Sequence, residues 1–287
     1  KDAVDRNEAG FRVDLTAGAS IPRVTRSIGM ESGDVDVQQM TLSYVAPIGR
    51  GLKLDVGKFV TPVGTELIEG YDGYNDNYSR SLLFGYAIPF THTGVRASYP
   101  VRENITALLM VVNGWDNVID SNRAKTVGAQ LAVAPVGGMN LAAGILYGAE
   151  KPGLDTDKRT LIDLIWTYTA SDVFTVGVNA DYGTEDHSAA DGGRARWFGI
   201  AAYCRLALSK EFALCFRAEQ FEDLDGVRTG VGQILREGTV TPEYRPADHL
   251  VLRGDLRIDR STLDVFQKSD GVTNYQPTVA VNVLVTY

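Results

Sequence analysis

The chain has 287 residues, 44% hydrophobic and 22% charged, with a formal net charge of −8. The acidic balance and the lack of a basic stripe exclude a nucleic-acid binder, and no run approaches the ~18 consecutive apolar residues of a transmembrane helix. Thirty glycines and thirteen tyrosines against four methionines favour sheet over a helix bundle.

Residues 1–9, in "KDAVDRNEAG", form a polar N-terminal segment without the apolar run of a signal peptide, as expected of the mature or shortened form of an exported protein. From there, period-two alternation predicts fourteen strands. They lie at about 10–20, 35–46, 51–61, 90–100, 104–114, 125–135 and 139–149, then 159–170, 172–183, 194–208, 211–222, 235–245, 248–260 and 275–287. No repeat or linker divides them, so 1–287 reads as one domain. Connections alternate between tight ones ("PIGRG", "PVREN", "PVGGM", "ASD", "LSK", "YRPAD") and long, polar ones, of which 62–89 is the longest.

The two thiols fall in opposite registers. Cys204 shares a face with apolar Phe198, Ile200 and Leu206; Cys215 shares one with Arg217 and Glu219. A cross-strand disulfide needs both on one face, so two free thiols are expected. The last strand, "TVAVNVLVTY", places Val279, Val281, Val283 and Val285 in one register and Thr278 and Asn282 in the other.

An up-and-down meander with short turns at one end and long loops at the other is the pattern of an outer-membrane barrel. Many strands are long enough to span a bilayer when tilted. About fourteen strands enclose an interior too wide for side chains to fill, so the polar register faces water and the apolar register faces lipid. Aromatics mark two interfaces: Tyr44, Tyr99, Trp166, Tyr168, Phe212 and Tyr287 toward the short turns, Tyr147 and Tyr182 toward the long loops. The expectation is an all-β transmembrane antiparallel barrel in the bacterial outer membrane, with both termini on the periplasmic side. Its last strand should pair with the first to remove both edges. Val281, Val283, Val285 and the terminal Tyr287 resemble the sorting signal read by the barrel-insertion machinery.

The runs "GFRVDL", "VQQMTLSYVAPIGRGLKLDVGKFVTPVGTELIEG", "NYSRSLLFGYAIPFTHTGVRASY" and "VVNGWD", then "WFGIAAY", "RAEQFEDLDGVRTG" and "QPTVAVNVLVTY", carry a closer likeness. Over nearly the whole chain they resemble the outer-membrane β-barrel porins of the OmpL-like BBP2 group. The resemblance implies a porin of undefined substrate. Family members usually carry about one more strand pair before this point, so a longer parent could hold sixteen strands.

The polar register assigns to the lumen Arg12, Asp14, Lys53, Asp55, Arg96, Asp163, Asp181, Arg205, Arg217, Glu219, Glu237, Glu243, Arg253, Asp255, Arg257 and Asp259. Cross-strand salt bridging accounts for many of these; a selectivity role remains for those at the narrowest level. Loop 62–89 carries Leu67, Ile68, Leu82, Leu83 and Phe84 and is expected to fold inward rather than stand in water. Its Glu66, Glu69, Asp72 and Asp76 would then face Arg12, Lys53 and Arg96, with Arg80 in the loop itself, as a transverse field across an eyelet. A surface loop is the other reading.

Enzyme signatures are lacking: the histidines are His92, His187 and His249, with no HExxH, CxxC, GxSxG or P-loop. "YDGYNDN" and "DNVIDSN" are oxygen-rich but miss EF-hand spacing and read as turns. No metal or cofactor is expected. Two functions stay open. One is passive diffusion of small hydrophilic solutes or ions through a water-filled lumen. The other is a structural barrel that anchors or encloses a partner in an envelope complex. Outer-membrane lipid, the insertion machinery and a homo-oligomeric or envelope partner complete the expected contacts.

Overall fold

The computed structural model describes residues 5–19, 21, 31–32, 35–70 and 72–286. Alternation of apolar and polar residues produces strands whose burial alternates in step. In β1 (Ala9–Ala17), Phe11, Val13 and Leu15 are exposed while Arg12, Asp14 and Thr16 are half-buried. β2 (Glu31–Ser32) is a short strand in the first long connection. The wall continues through β3 (Val35–Ala46), β4 (Leu52–Val60), β5 (Thr91–Arg102), β6 (Ile105–Val112), β7 (Thr126–Val133) and β8 (Met139–Ala149). It goes on through β9 (Lys158–Thr169), β10 (Phe174–Glu185), β11 (Ala195–Ala207), β12 (Phe212–Asp223), β13 (Gln233–Ala247) and β14 (Leu250–Ser261). A hairpin of β15 (Phe266–Lys268) and β16 (Gly271–Thr273) fills the last long connection, and β17 (Tyr275–Val285) ends the wall.

Each wall strand pairs antiparallel with its sequence neighbour, in the order β1-β3-β4-β5-β6-β7-β8-β9-β10-β11-β12-β13-β14-β17. Those fourteen strands are the fourteen read from the alternation, and tight turns alternate with long loops around the sheet. One expectation fails. Among the described residues no ladder joins β1 to β17, so the sheet keeps two edges. From inside, the tip of loop 62–89 bonds to Arg12 of β1 and to Arg253 of β14, next to β17. The seam is therefore spanned by side chains rather than by backbone.

The outward face is the apolar one. Val279, Val281, Val283 and Val285 are all exposed, the first two more than any other large apolar residue described, on the face opposite Asn282, which meets the buried Arg253. A bilayer, rather than water, is the solvent such a face fits. Phe212 and Tyr244, paired across β12 and β13 near the short turns, stack at 4.5 Å. Tyr147 and Tyr182 are exposed toward the other end. Tyr287 lies outside the described residues. Cys204 sits opposite Phe216 on the outward face and Cys215 opposite Arg205 on the inward one, both free thiols.

Candidate functional site

Loop 62–89 leaves β4, enters the barrel and returns to β5. Its apolar residues drive the entry. Val63, Leu82, Leu83, Phe84, Ala87 and Ile88 are buried, with Phe90 just after the loop, against Phe59, Met110, Val112, Trp115, Leu146, Leu161, Trp197, Phe221 and Leu235. Burying one such leucine or phenylalanine side chain is worth roughly 1.5–3 kcal/mol, which no exposed position would return. Phe84 and Phe90 stack at 4.6 Å. Gly199 of β11 makes room for the loop: a Cβ there would stand 2.7 Å from Leu83 Cδ1. The inward apolar cluster fills the long-loop half of the lumen, where the sequence led to an expectation of a wet interior. The loop's own side chains supply the material that the wall could not.

Polar bonds fix the loop against the wall. Trp197 Nε1 donates to Ala87 O (3.1 Å) and Arg228 Nε to Tyr86 O (2.6 Å). Gln130 donates to Pro62 O, and the Thr65 amide donates to Asn179 Oδ1 (3.1 Å). Toward the short-turn end the contacts become ionic. Arg217, fully buried, donates to Glu66 (3.1 Å) and Glu237 (2.9 Å), lies 3.5 Å from Glu219, and caps Ser79 O (2.6 Å). Both oxygens of Glu219 accept from the Leu82 amide at 2.8 Å. Asp255 accepts from the Ser79 amide (2.6 Å) and from Thr241 (2.6 Å), while Asn77 donates to Thr241. Arg257 donates to Arg80 O (2.6 Å) and pairs with Asp259.

The loop tip carries the remaining charges. Asp72 pairs with Arg12 through two bonds, of 2.7 and 3.0 Å. Glu69 accepts from Arg253 (3.2 Å), and Asp76 from Arg205 (2.8 Å), which also binds Glu243. Arg80 donates to Leu67 O and lies over the Phe84 ring, 4.0 Å from Glu66.

The geometry corrects the expected eyelet in one respect. Lys53 and Arg96 do not meet the loop's carboxylates. Both pair with Asp55, at 3.4 and 3.0 Å. Asp55 is directly opposite Arg96 in the ladder and two residues from Lys53, so its carboxylate is nearer than any in the loop. The loop's acids cross instead to Arg205, Arg217 and Arg253 on β11–β14, with Arg12 on β1. Val281, Val283 and Val285 lie away from this assembly, on the outer wall.

Below the loop, on the short-turn side, a cavity of about 230 Å³ is lined by Thr65, Glu66, Tyr74, Asp76, Thr167, Thr175, Tyr203 and Arg205. It offers hydroxyls, amides and one ion pair to a hydrophilic guest. The oxygen-rich turns are committed to the protein: Asp72 and Asp76 to arginines, Asp116 to the amides of Phe90 and Thr91, and Asp120 to Lys125. Among the described residues no group of three or more His, Cys, Asp or Glu side chains is set to hold a metal. Sequence reading missed Trp197, Arg228, Gln130, Asn179 and Thr241. All but Arg228 lie in the inward register, so parity could have placed them; their carbonyl, amide and hydroxyl partners had no signal.

The family model described as "Putative beta-barrel porin-2, OmpL-like" matches residues 2–287. Among solved structures, the fold is similar to the outer membrane channel DcaP of Acinetobacter baumannii. The TM-score is 0.66 at 10% identity, covering 98% of this chain and 82% of that one. It is also similar to an anion-selective porin from Comamonas acidovorans, with TM-score 0.57, 10% identity, and 88% and 74% coverage. The trimer form of OmpT from Vibrio cholerae gives TM-score 0.57 at 14% identity, with 88% and 80% coverage. No curated protein matches the sequence.

Proposed function

The chain belongs to the OmpL-like beta-barrel porin-2 family and is a porin of the bacterial outer membrane, a channel for small hydrophilic solutes, and from that premise we propose that loop 62–89 sets what passes. One observation carries the reading. The loop lies across the lumen and is bonded to the wall on several sides: to Gln130, Asn179, Arg217, Glu219, Arg253 and Asp255. A constriction so fixed admits only small guests. It presents paired charges at its rim rather than one unbroken sign, which favours weak ion selectivity over a strong anion or cation preference.

The test is single-channel conductance in planar bilayers. A chain lacking residues 66–84 is expected to conduct several-fold more than the intact one. Equal conductance would remove the loop from the pore. A second reading, a barrel that serves as scaffold, is favoured by the apolar cluster in the long-loop half. Complete absence of conductance steps from correctly folded protein would select it. The same proposal holds that the protein is not an enzyme, that the outward valines contact lipid and mark the last strand for the insertion machinery, and that copies associate in the membrane. Molecular mass in detergent measures the last point.

A further inference from the structure

Charge on the outward face of the wall is concentrated toward the long-loop ends of β11–β14, where Arg196, Glu222, Arg236 and Arg260 alternate with inward residues. Arg236, near the start of β13, and Arg260, near the end of β14, are directly opposed, and both are exposed. Arg236 Nε donates to Gln220 Oε1 of β12 at 2.7 Å. Arg260 has no hydrogen bond or ion pair among the described residues. The adjacent outward carboxylate, Glu222, accepts from Gln220 Nε2 (2.7 Å), and Asp225 accepts from the Arg196 amide. Like charges directly opposite are destabilising, and the chain brings neither arginine a carboxylate. One pair closer to the middle of the wall, Gly238 is opposite Ala218 on one side and Ile258 on the other. There the outer surface sinks into an apolar groove of about 870 Å³. Ala202, Ala218 and Gly238, paired in succession across β11–β13, form its floor, with Val178, Phe216 and Leu256 around it. A Cβ on Gly238 would meet nothing within 4 Å.

We propose that this part of the outer wall holds one phosphorylated lipid of the outer leaflet, its phosphate between Arg236 and Arg260 and one acyl chain in the groove. Long loops mark the extracellular side of an outer-membrane barrel, so the two arginines stand at the outer headgroup level and the groove lies deeper, among acyl chains. A guanidinium is weakly hydrated and forks a phosphate with two parallel bonds. One phosphate between the two relieves their repulsion, as basic clusters at a membrane surface do with anionic headgroups. The two features call for one occupant. A free phosphate satisfies the arginines and leaves the groove empty; a neutral lipid fills the groove and leaves the arginines opposed. A phosphorylated lipid does both. The site is on the lipid-facing wall, so it does not depend on the reading of loop 62–89.

The experiment uses the folded full chain in detergent, stripped of lipid and titrated under native mass spectrometry. The probes are bis-phosphorylated lipid A, the same glycolipid with its phosphates removed, and inorganic phosphate. One bis-phosphorylated lipid should be retained per chain. The dephosphorylated form should bind roughly tenfold more weakly or worse, the effect of losing a charge-assisted fork, and inorganic phosphate should not displace the lipid. Arg236→Gln/Arg260→Gln should remove the preference for the phosphorylated form. Gly238→Leu, which fills the groove and leaves both arginines in place, should weaken both lipids together. Heat-modifiable gel mobility checks that the variants fold; if either does not, the ratio between the two lipids on the unaltered chain decides. Equal binding of the two lipids overturns the proposal, and so does displacement of the lipid by equimolar inorganic phosphate, which would show an anion site alone. A lipid-free dimer that Gly238→Leu breaks would put a second copy of the chain in the groove and overturn it as well.

Discussion

The wall that carries the inward loop and the wall that receives it are built differently. On β4–β8 the inward positions near the loop are mostly small or apolar, namely Gly57, Gly94, Met110, Val112, Gly128, Gly144 and Leu146, with Gln130 and His92 as the polar exceptions. Their main charged group is closed on itself, with Lys53 and Arg96 both on Asp55 and Arg96 also over the Phe59 ring. On the short-turn side of Phe221 and Leu235, the inward positions of β11–β14 carry Arg205, Arg217, Glu219, Glu237, Glu243, Arg253, Asp255, Arg257 and Asp259, and the loop's amides, carbonyls and carboxylates land chiefly there. The loop is attached to one wall and bonded chiefly to the other. Complementarity of charge and hydrogen bonding, rather than proximity in sequence, decides where a long loop comes to rest.

Arg217 is the strongest place to break that contrast. It is the common partner of Glu66, Glu219 and Glu237, with its side chain and those of Glu219 and Glu237 fully buried. Arg217→Met leaves three carboxylates without their guanidinium, and removing one partner of a buried ion pair costs about 3–5 kcal/mol. Arg96→Met, on the carrying wall, leaves Asp55 still bonded to Ser43 and near Lys53. A much smaller loss is expected there. Urea unfolding of both variants, followed by heat-modifiable gel mobility, compares them. Equal losses would mean that the two walls do not differ in this way.

Asp255→Ala sharpens the comparison at the loop itself. It strands the Ser79 amide and the Thr241 hydroxyl, and leaves the Tyr78 amide without its weaker bond. Each buried group so abandoned costs about 1–3 kcal/mol. The barrel should survive while the loop loosens. Single-channel records should show added current noise and a higher mean conductance. Quiet, wild-type currents would place the loop's anchorage elsewhere.

How much of this was legible follows from the physics of alternation. Period two fixes the face of every wall residue, so Arg217, Glu219, Arg253, Asp255 and Arg257 could be put inside, and the valines of β17 outside, without a structure. The leucines and phenylalanine at 82–84 showed that loop 62–89 had to bury something. Alternation says nothing about partners across a lumen. Arg217 and Glu66 are separated by 151 residues, and Arg253 and Glu69 by 184. Reasoning from attachment points therefore chose Lys53 and Arg96, near in sequence but already claimed by Asp55. The open seam between β1 and β17 was equally hidden, because the pattern shows that strands pair without showing whether the ring closes.

Arg12 is the receiving group closest to that seam, and it lies at the wet end of the contrast. It pairs with Asp14 two residues along its own strand, which Gln39 also bonds, and with Asp72 of the loop, which is 42% exposed. Pairs of this kind contribute about 0–1 kcal/mol. Arg12→Gln should change unfolding very little, and less at 1 M salt than at 0.1 M, since the Debye length falls from ~10 Å to ~3 Å. A loss as large as that of Arg217→Met would show that the tip of the loop, rather than its buried middle, holds the seam.

The smallest effect belongs to the long loops outside the barrel, where neither wall is involved. Asp157 accepts from Lys151 Nζ at 2.8 Å and lies 3.0 Å from His187 Nδ1, tying loop 150–157 to loop 186–194. The hydrogen bonds from Lys151 and His187 hold its carboxyl below the ordinary value of 3.8. The linkage therefore runs in one direction. The contribution is complete above that ordinary value and is lost as pH falls through the lower folded one. Hydrogen exchange of the amides in 150–157 and 186–194 should be steady from pH 7 to pH 5, after correction for intrinsic rates, and lose protection below about pH 4. Asp157→Asn should remove that step and leave protection in β9 and β10 as it was. A step that persists in the variant would assign it to Asp186, which Arg194 holds low in the same way.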